Sequence, residues 1–91
     1  MKVVYKYPLS DWQETIKMPK DAEILTAQIQ GTTTYIWALV DTDNPIEERT
    51  FAIYGTGNEI KSCGEIRYIN TIFQNAGLSL TSYVWHIFEI K

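Results

Sequence analysis

The residues best suited to catalysis are few in this sequence. His86 is the only histidine and Cys63 the only cysteine among its 91 residues, so the one conventional pairing of a nucleophile with a base is Cys63 with His86. His86 stands between Val84 and Phe88 on one face of a predicted strand, which favours a hydrogen-bonded structural histidine. A single histidine also argues against a dedicated zinc or copper site. We therefore predict a protein without catalytic residues, metal or cofactor.

Two acidic pairs offer another route to chemistry. Glu47 and Glu48 are adjacent, and Asp41 and Asp43 flank a threonine. The segment lacks the spacing and the central glycine of an EF-hand calcium loop. Carboxylates alone do not define a hydrolase either, because the sequence does not give their separation in space. A solvated turn is the interpretation that we favour.

The segment Gly55-Thr56-Gly57-Asn58 is a candidate phosphate-binding loop. Two glycines permit positive φ, and such a loop can direct backbone amides at a phosphate. It lacks the lysine and the helix of a Walker loop, so an ordinary hairpin turn is the competing interpretation. Arg49 and Lys61 flank the loop and complete a hypothetical phosphate site, with Arg67 and Lys6 as further candidate cations.

Aromatic residues are unusually numerous for a core of this size. The chain has three tryptophans and six tyrosines, whose faces can stack on nucleobases. For any one of them, packing in the core is the simpler explanation. For the set, we expect some to reach the surface as a ligand platform or an oligomer interface. The set comprises Tyr5, Tyr7, Trp12, Tyr35, Trp37, Tyr54, Tyr68, Tyr83 and Trp85.

Short segments of alternating or apolar residues predict the elements that must position these side chains. The run Tyr35–Val40 is apolar on both faces and predicts a central strand buried on both sides. Ile46–Glu48 is the segment most open to a helical turn. We predict one all-β domain over residues 1–91, a compact antiparallel sandwich or barrel of about seven short strands. The predicted strands cover residues 2–8, 12–18, 22–30, 35–40, 49–54, 65–73 and 83–90, with turns that include Asp43-Asn44-Pro45 and Asn75-Ala76-Gly77.

Composition and charge exclude several classes of partner. Eight Lys and Arg against eleven Asp and Glu give a net charge of −3, which provides no long-range attraction for duplex DNA, duplex RNA or an anionic membrane. The single cysteine rules out an internal disulfide and fits a reducing cytoplasm. No window is long and apolar enough for a signal peptide or a membrane span. We expect the protein to stay in the cytoplasm in which it is made.

Four motifs follow one another along the chain: Tyr-Lys-Tyr-Pro-Leu at 5–9, Trp-Ala-Leu-Val-Asp at 37–41, Arg-Thr-Phe-Ala-Ile-Tyr-Gly-Thr-Gly at 49–57 and Val-Trp-His-Ile-Phe-Glu at 84–89. Taken in this order, they resemble a family of small tailed-phage proteins. A further stretch, at 68–74, is similar to that family with one extra residue near Ile72. The likeness covers nearly the whole chain.

The resemblance implies a function. The family overlaps phage proteins that act as sponges, which trap the cyclic nucleotide signals of bacterial antiphage (CBASS-type) immunity. Such sponges are small homo-oligomers, dimers or tetramers, whose sites often lie across subunit interfaces. This implies a phage immune-evasion protein in the host cytoplasm that sequesters a cyclic dinucleotide, such as 3'3'-cGAMP, without cleaving it.

The sequence leaves two other classes of function open. A small phage structural or protein-interaction module would use exposed strand edges and aromatic residues to bind another protein and would have no small-molecule ligand. An enzyme that cleaves a nucleotide signal through His86 or a carboxylate pair ranks last. For the sponge, the candidate ligand-binding residues are Tyr5, Lys6, Tyr7, Trp12, Arg49, Tyr54, Gly55, Thr56, Gly57 and Lys61.

Overall fold

The computed structural model describes residues 1–61, 64–75 and 82–91, and these residues form strands and turns without a helix. Cys63 and the Ala76-Gly77 part of a predicted turn lie outside the described residues, so the Cys63–His86 pairing stays a hypothesis. No helix in the described ranges could cross a bilayer. The seven strands are β1 (Lys2–Leu9), β2 (Gln13–Pro19), β3 (Glu23–Gln30), β4 (Thr33–Asp41), β5 (Ile46–Gly55), β6 (Ile66–Asn75) and β7 (Ser82–Ile90).

The strands form two antiparallel sheets. Sheet A has the order β1-β4-β3, and sheet B has the order β2-β5-β7-β6. All five strand pairings are antiparallel. The prediction of an all-β antiparallel fold of about seven strands is therefore confirmed.

The core lies between the inner faces of the two sheets. Along each strand every second side chain points inward, as in β4, where Ile36, Ala38 and Val40 are buried and alternate with half-exposed residues. Phe51 and Ile87 supply the same layer from sheet B. Burial of the apolar side chains is the main driving force that holds the sheets together. The core residues are Leu9, Ile16, Met18, Ala22, Ala27, Ile36, Ala38, Val40, Phe51, Ile72 and Ile87.

Two local predictions were wrong. Strand β4 is central in sheet A, but Tyr35, Trp37 and Leu39 are half-exposed because none of the strands that the structure describes covers the outer face of that sheet. Ile46–Glu48 is not helical. It begins β5, where Ile46 and Glu47 pair with Pro19 and Met18 of β2, since a partner strand supplies hydrogen bonds that local propensity does not predict.

An asparagine joins the two sheets along one side. Asn70 of β6 accepts a hydrogen bond from the Ala27 amide at 2.9 Å and donates one to the Ala27 carbonyl at 2.7 Å. The side-chain amide of Asn70 thus makes the two backbone hydrogen bonds of Ala27 that a neighbouring strand would otherwise make. Asn70 follows a bulge between Tyr68 and Asn70, where the register of β6 on β7 shifts. Bulges redirect side chains in this way, and this one aims an inward-facing amide at the other sheet.

Candidate ligand-binding site

Three aromatic side chains form a continuous strip at one end of the sandwich. The rings of Trp12 and Trp85 lie 5.3 Å apart, centroid to centroid, with their planes at 56°. Tyr83 stacks on Trp85 at 5.7 Å and 15°. Trp12 is 60% exposed and Tyr83 is 49% exposed. This aromatic strip, Trp12–Trp85–Tyr83, leaves large ring surfaces open to solvent, although burial is the favourable state of such surfaces.

A pocket of about 270 Å³ adjoins the strip. Its walls come from the β1–β2 turn, the start of β4, and the ends of β5, β6 and β7. The polar groups in it include the Asp11 carboxylate and the Gln74 amide, whose oxygen accepts a hydrogen bond from Trp85 Nε1 at 2.9 Å. Half of the eight lining residues are polar, so the wall combines apolar and aromatic surface with groups that can orient a small molecule. The lining residues are Leu9, Ser10, Asp11, Trp12, Thr34, Ile53, Gln74 and Trp85.

Hydrogen bonds within the β1–β2 turn hold Trp12 in place. The Asp11 carboxylate accepts the amide of Trp12 at 2.8 Å, and the Glu14 carboxylate accepts the amide of Ser10 at the same distance. The carbonyl of Trp12 then accepts the Ile53 amide of β5 at 2.8 Å. The turn is tied to sheet B at the residue that carries the exposed indole.

The glycine loop borders the aromatic strip. Gly55 is the register partner of Trp85. A Cβ at Gly55 would lie 3.5 Å from the Trp85 ring and 3.0 Å from the side-chain nitrogen Nδ2 of Asn58. The backbone N–H of Asn58 donates a hydrogen bond to the Gly55 carbonyl at 3.1 Å and closes the turn. Gly57 has φ of 87°, a conformation that side chains other than glycine rarely adopt. Of the predicted loop residues, Gly55 therefore lies against Trp85, whereas Thr56 is hydrogen-bonded to His86 on the other face of β7.

His86 connects this loop to the outer face of sheet B. Its Nε2 is 2.8 Å from Thr56 Oγ1, and its Nδ1 is 3.0 Å from Thr71 Oγ1. The Tyr68 hydroxyl in turn lies 2.7 Å from Thr71 Oγ1. Both ring nitrogens thus have hydroxyl partners, as expected of a structural histidine, and one partner belongs to the loop. Tyr54 packs nearby, with its ring 5.9 Å from that of Phe88.

Arg49 is at the other end of the molecule. Its guanidinium forms a two-pronged ion pair with Glu89, at 2.6 Å from Nε and 2.8 Å from Nη2, and also donates to the Ala22 carbonyl. The Glu89 side chain is only 4% exposed. Hydrogen bonding to Glu89 raises the pKa of Arg49 despite the opposing effect of burial. Six residues of extended strand separate Arg49 from Gly55, about 20 Å, so the structure does not bring this arginine to the glycine loop.

Two further candidate cations, Lys6 and Lys61, are exposed. Lys6 lies on the outer face of sheet A, where its ammonium is 4.4 Å from the Tyr35 ring centroid and donates to Gln30 Oε1 at 2.8 Å. Lys61 is exposed, 3.9 Å from Glu59. Within the described ranges, no group of three or more His, Cys, Asp or Glu side chains is placed to hold a metal.

Tyr5 and Tyr7 lie together on the other face of β1. Their rings meet edge to face at 6.3 Å, and burial raises the pKa of the Tyr7 hydroxyl. Tyr7 packs against the core, whereas Tyr5 is 44% exposed at the sheet edge. Four residues of strand, about 13 Å, separate Tyr5 from Leu9 in the pocket wall. Of the predicted site residues, Trp12 contacts Trp85, the register partner of Gly55, and Tyr54 directly precedes the glycine loop. Those that lie elsewhere are Tyr5, Lys6, Tyr7 and Arg49.

Sequence reasoning missed several members of this site. Trp85 and Tyr83 were counted among the aromatic residues but not assigned to it, and Asp11 and Gln74 were not considered. The available signal was weak. The glycine at position 55 makes room for a large partner, but only the β5–β7 register shows that this partner is Trp85.

The fold and the site define a β-sandwich protein with an aromatic-lined pocket at one end. The chain belongs to the family described as domain of unknown function DUF7352, whose model matches residues 1–91. No curated protein and no solved structure matches it.

Proposed function

We propose that this protein binds a cyclic dinucleotide, such as 3'3'-cGAMP, and sequesters it without cleaving it. The observation that carries the proposal is the aromatic strip, whose two ends, Trp12 and Tyr83, are both about half exposed or more. An aromatic face that stacks on a base contributes roughly 1–3 kcal/mol. A strip with an open ring at each end offers one stacking surface for each of two bases.

The pocket beside the strip suits one nucleoside. Its volume of about 270 Å³ lies just below the range of roughly 300–1,000 Å³ typical of pockets for whole drug-sized ligands. The Asp11 carboxylate accepts hydrogen bonds, and the hydroxyls of Ser10 and Thr34 donate or accept them. These groups can bind a base edge or a ribose hydroxyl while the ring lies on Trp12.

The glycine loop is the candidate partner for a phosphate. Thr56 and Gly57 are exposed, and the bond from Thr56 Oγ1 to His86 fixes the loop against sheet B. Successive amides in such a turn can bind a phosphate oxygen whatever the net charge of the chain. Lys61 follows four residues after Gly57, with a side chain 80% exposed, and can reach toward the same anion.

Two ionisable side chains, His86 and Glu89, are hydrogen-bonded to partners within the chain, which supports sequestration rather than cleavage. Both nitrogens of His86 meet threonine hydroxyls, and both oxygens of Glu89 meet Arg49. A general base must be able to reach the proton that it removes. These two groups are instead held by partners within the chain.

The biological role that we propose is phage immune evasion, and its support is the resemblance of the ordered motifs to tailed-phage proteins. A sponge made in excess would lower the free signal below the level that activates a CBASS-type defence. Expression of the protein should restore plaque formation on a host that carries such a defence, and the Trp12→Ala variant should not. Equal plaque formation with both would contradict the role of the aromatic strip.

Calorimetric titration of the purified protein with 3'3'-cGAMP and other cyclic dinucleotides tests the binding step. Trp12→Ala should weaken binding about 5- to 150-fold, the equivalent of 1–3 kcal/mol, whereas Trp12→Phe should restore most of the affinity. Tyr5→Ala, an exposed aromatic truncation away from the strip, is the control and should change little. Heat denaturation of the complex should release intact ligand. Binding of no cyclic dinucleotide by the folded protein would overturn the proposal.

A further inference from the structure

The pocket beside the aromatic strip contains one charged side chain. Among the described residues that line it, Asp11 alone carries a charge. Its Oδ1 accepts the Trp12 amide at 2.8 Å, and it makes no ion pair with any residue that the structure describes. An ionised carboxylate has about four acceptor sites and no donor. Most of the hydrogen-bonding capacity of Asp11 is therefore open to a ligand in the pocket.

Gln74 presents the opposite character to the same pocket. Its Oε1 lies 2.9 Å from Trp85 Nε1. Because an indole nitrogen can only donate, the atom that faces it must be the oxygen of the amide. The Gln74 nitrogen, with two N–H donors, has no acceptor among the described residues. The pocket thus combines an acceptor, Asp11, with a donor whose orientation is fixed by Trp85.

We propose that this pocket binds guanine in preference to adenine, with Asp11 and Gln74 as the residues that distinguish the two bases; this rests on the nucleotide binding proposed above. Guanine has two adjacent donors, N1–H and the N2 amino group, and acceptors at O6 and N7. The two donors match the Asp11 carboxylate, and an acceptor matches the Gln74 amide nitrogen. Hydrogen bonds to the edge of a base are the usual way in which a pocket reads it.

Adenine matches the carboxylate less well. It has one donor group, the N6 amino group, so it offers Asp11 one hydrogen bond where guanine offers two. The N1 of adenine is an acceptor, and beside N6 it would face the lone pairs of the carboxylate. A site built for hydrogen bonds rejects an analogue that lacks them, because polar groups of the site are then left unpaired. One two-pronged contact to a base distinguishes it from the wrong base by about 5- to 150-fold.

Trp12 and Asp11 have separable roles in this arrangement. The indole of Trp12 is a stacking surface, and stacking accepts every base because every base has a π-face. The carboxylate of Asp11 adds the selection between bases. Its negative charge also repels a phosphate, so the base enters the pocket and the phosphate stays outside. Loss of Trp12 should therefore weaken both bases, whereas loss of the Asp11 charge should weaken guanine alone.

Nuclear magnetic resonance titration of the ¹⁵N-labelled full chain with GMP, IMP and AMP tests the selection. GMP should bind about 5- to 150-fold more tightly than AMP, and IMP, which lacks the N2 amino group, should lie between them. The indole N–H signals of Trp12 and Trp85 should shift. The signal of Trp37, on the outer face of sheet A, is the internal control and should not. Calorimetry with cyclic di-GMP and cyclic di-AMP should show a preference of similar size.

Three variants separate selection from stacking. Asp11→Asn keeps an oxygen for the Trp12 amide but replaces the second acceptor with an N–H donor, so its affinity for GMP should fall to that for AMP. Trp12→Ala should weaken GMP and AMP by the same factor. Glu48→Gln removes one negative charge from an exposed position at the other end of β5, and it should bind both nucleotides like the wild type.

Equal affinities for GMP and AMP would overturn the selection of guanine, and so would an unchanged preference for GMP in Asp11→Asn. A loss of preference in Glu48→Gln as well would show an effect of net charge rather than of this pocket. Preference for GMP over AMP without binding of any cyclic dinucleotide would support the guanine pocket and overturn the sequestration of a cyclic dinucleotide. Binding of none of these nucleotides would overturn both.

Discussion

The two ends of the sandwich differ in which large side chains they bury and which they expose. At the end where β5 begins, the charges of Arg49 and Glu89 are buried and held by one another. At the end where β5 stops, Trp12, a largely apolar side chain, is 60% exposed. Polar groups with internal partners stabilise a fold, whereas large apolar groups left in water are candidates for contact with a ligand. One end therefore contributes to stability, and the other carries the ligand site that we propose.

The largest effect should come from breaking the buried ion pair. Arg49→Met leaves the Glu89 carboxylate without its partner in a site that is 3% exposed, and it should lower the free energy of unfolding by about 3–5 kcal/mol. Urea unfolding measures the change. The double variant Arg49→Met, Glu89→Leu should recover much of the loss, because no uncompensated charge remains. A single variant as stable as the wild type would contradict the assignment of stability to this end.

A smaller effect is expected from Trp12→Ala. The side chain of Trp12 is larger than that of Arg49, but most of it is already exposed to water. Its ring contacts Trp85, so loss of the ring should lower the free energy of unfolding by about 0.5–1.5 kcal/mol. The same urea series gives the comparison. A loss of stability equal to that of Arg49→Met would contradict this comparison of the two ends, because Trp12 would then contribute to stability as a core residue does.

The smallest effect is expected on the pH dependence of stability, through the Asp41 carboxylate. The Asp41 carboxylate accepts the Asp43 amide at 3.0 Å and lies 3.0 Å from the amino group of Met1. The hydrogen bond from the Asp43 amide, followed by that from the amino group, lowers the pKa of Asp41 below its ordinary value of 3.8. A lowered pKa in the folded state stabilises the fold above pH 3.8, and this contribution is lost as the pH falls through the lowered pKa.

Thermal unfolding at a series of pH values measures this contribution. Asp41→Asn removes the titration, so its thermal midpoint should fall less than that of the wild type on acidification. Asp11→Asn is the control at the aromatic end and should retain the acid response of the wild type. Parallel curves for the wild type and Asp41→Asn would show that Asp41 does not contribute to the pH dependence of stability.

The strands and turns were predictable because their formation depends on residues that are close together in the sequence. Alternation along 83–90 placed Val84, His86 and Phe88 on one face and Trp85 and Ile87 on the other, as the structure has them. The turns at Asp43-Asn44-Pro45 and Gly55–Asn58 were also predicted from residue type, and backbone hydrogen bonds close turns at Asp41–Asn44 and Gly55–Asn58. The second turn is not a hairpin turn, because β5 and β6 are not neighbours in sheet B. Period and turn chemistry depend on neighbours within a few residues.

Distances across the chain decided the rest. The sequence by itself determined an all-β antiparallel chain rich in aromatic residues. It gave no sign that Arg49 meets Glu89, forty positions away, rather than the glycine loop a few residues along its own strand. The tertiary structure also decided that Trp12 stays exposed beside Trp85 while Tyr7 packs against the core. Burial and pairing depend on which strands become neighbours, and that is settled only when the two sheets pack together.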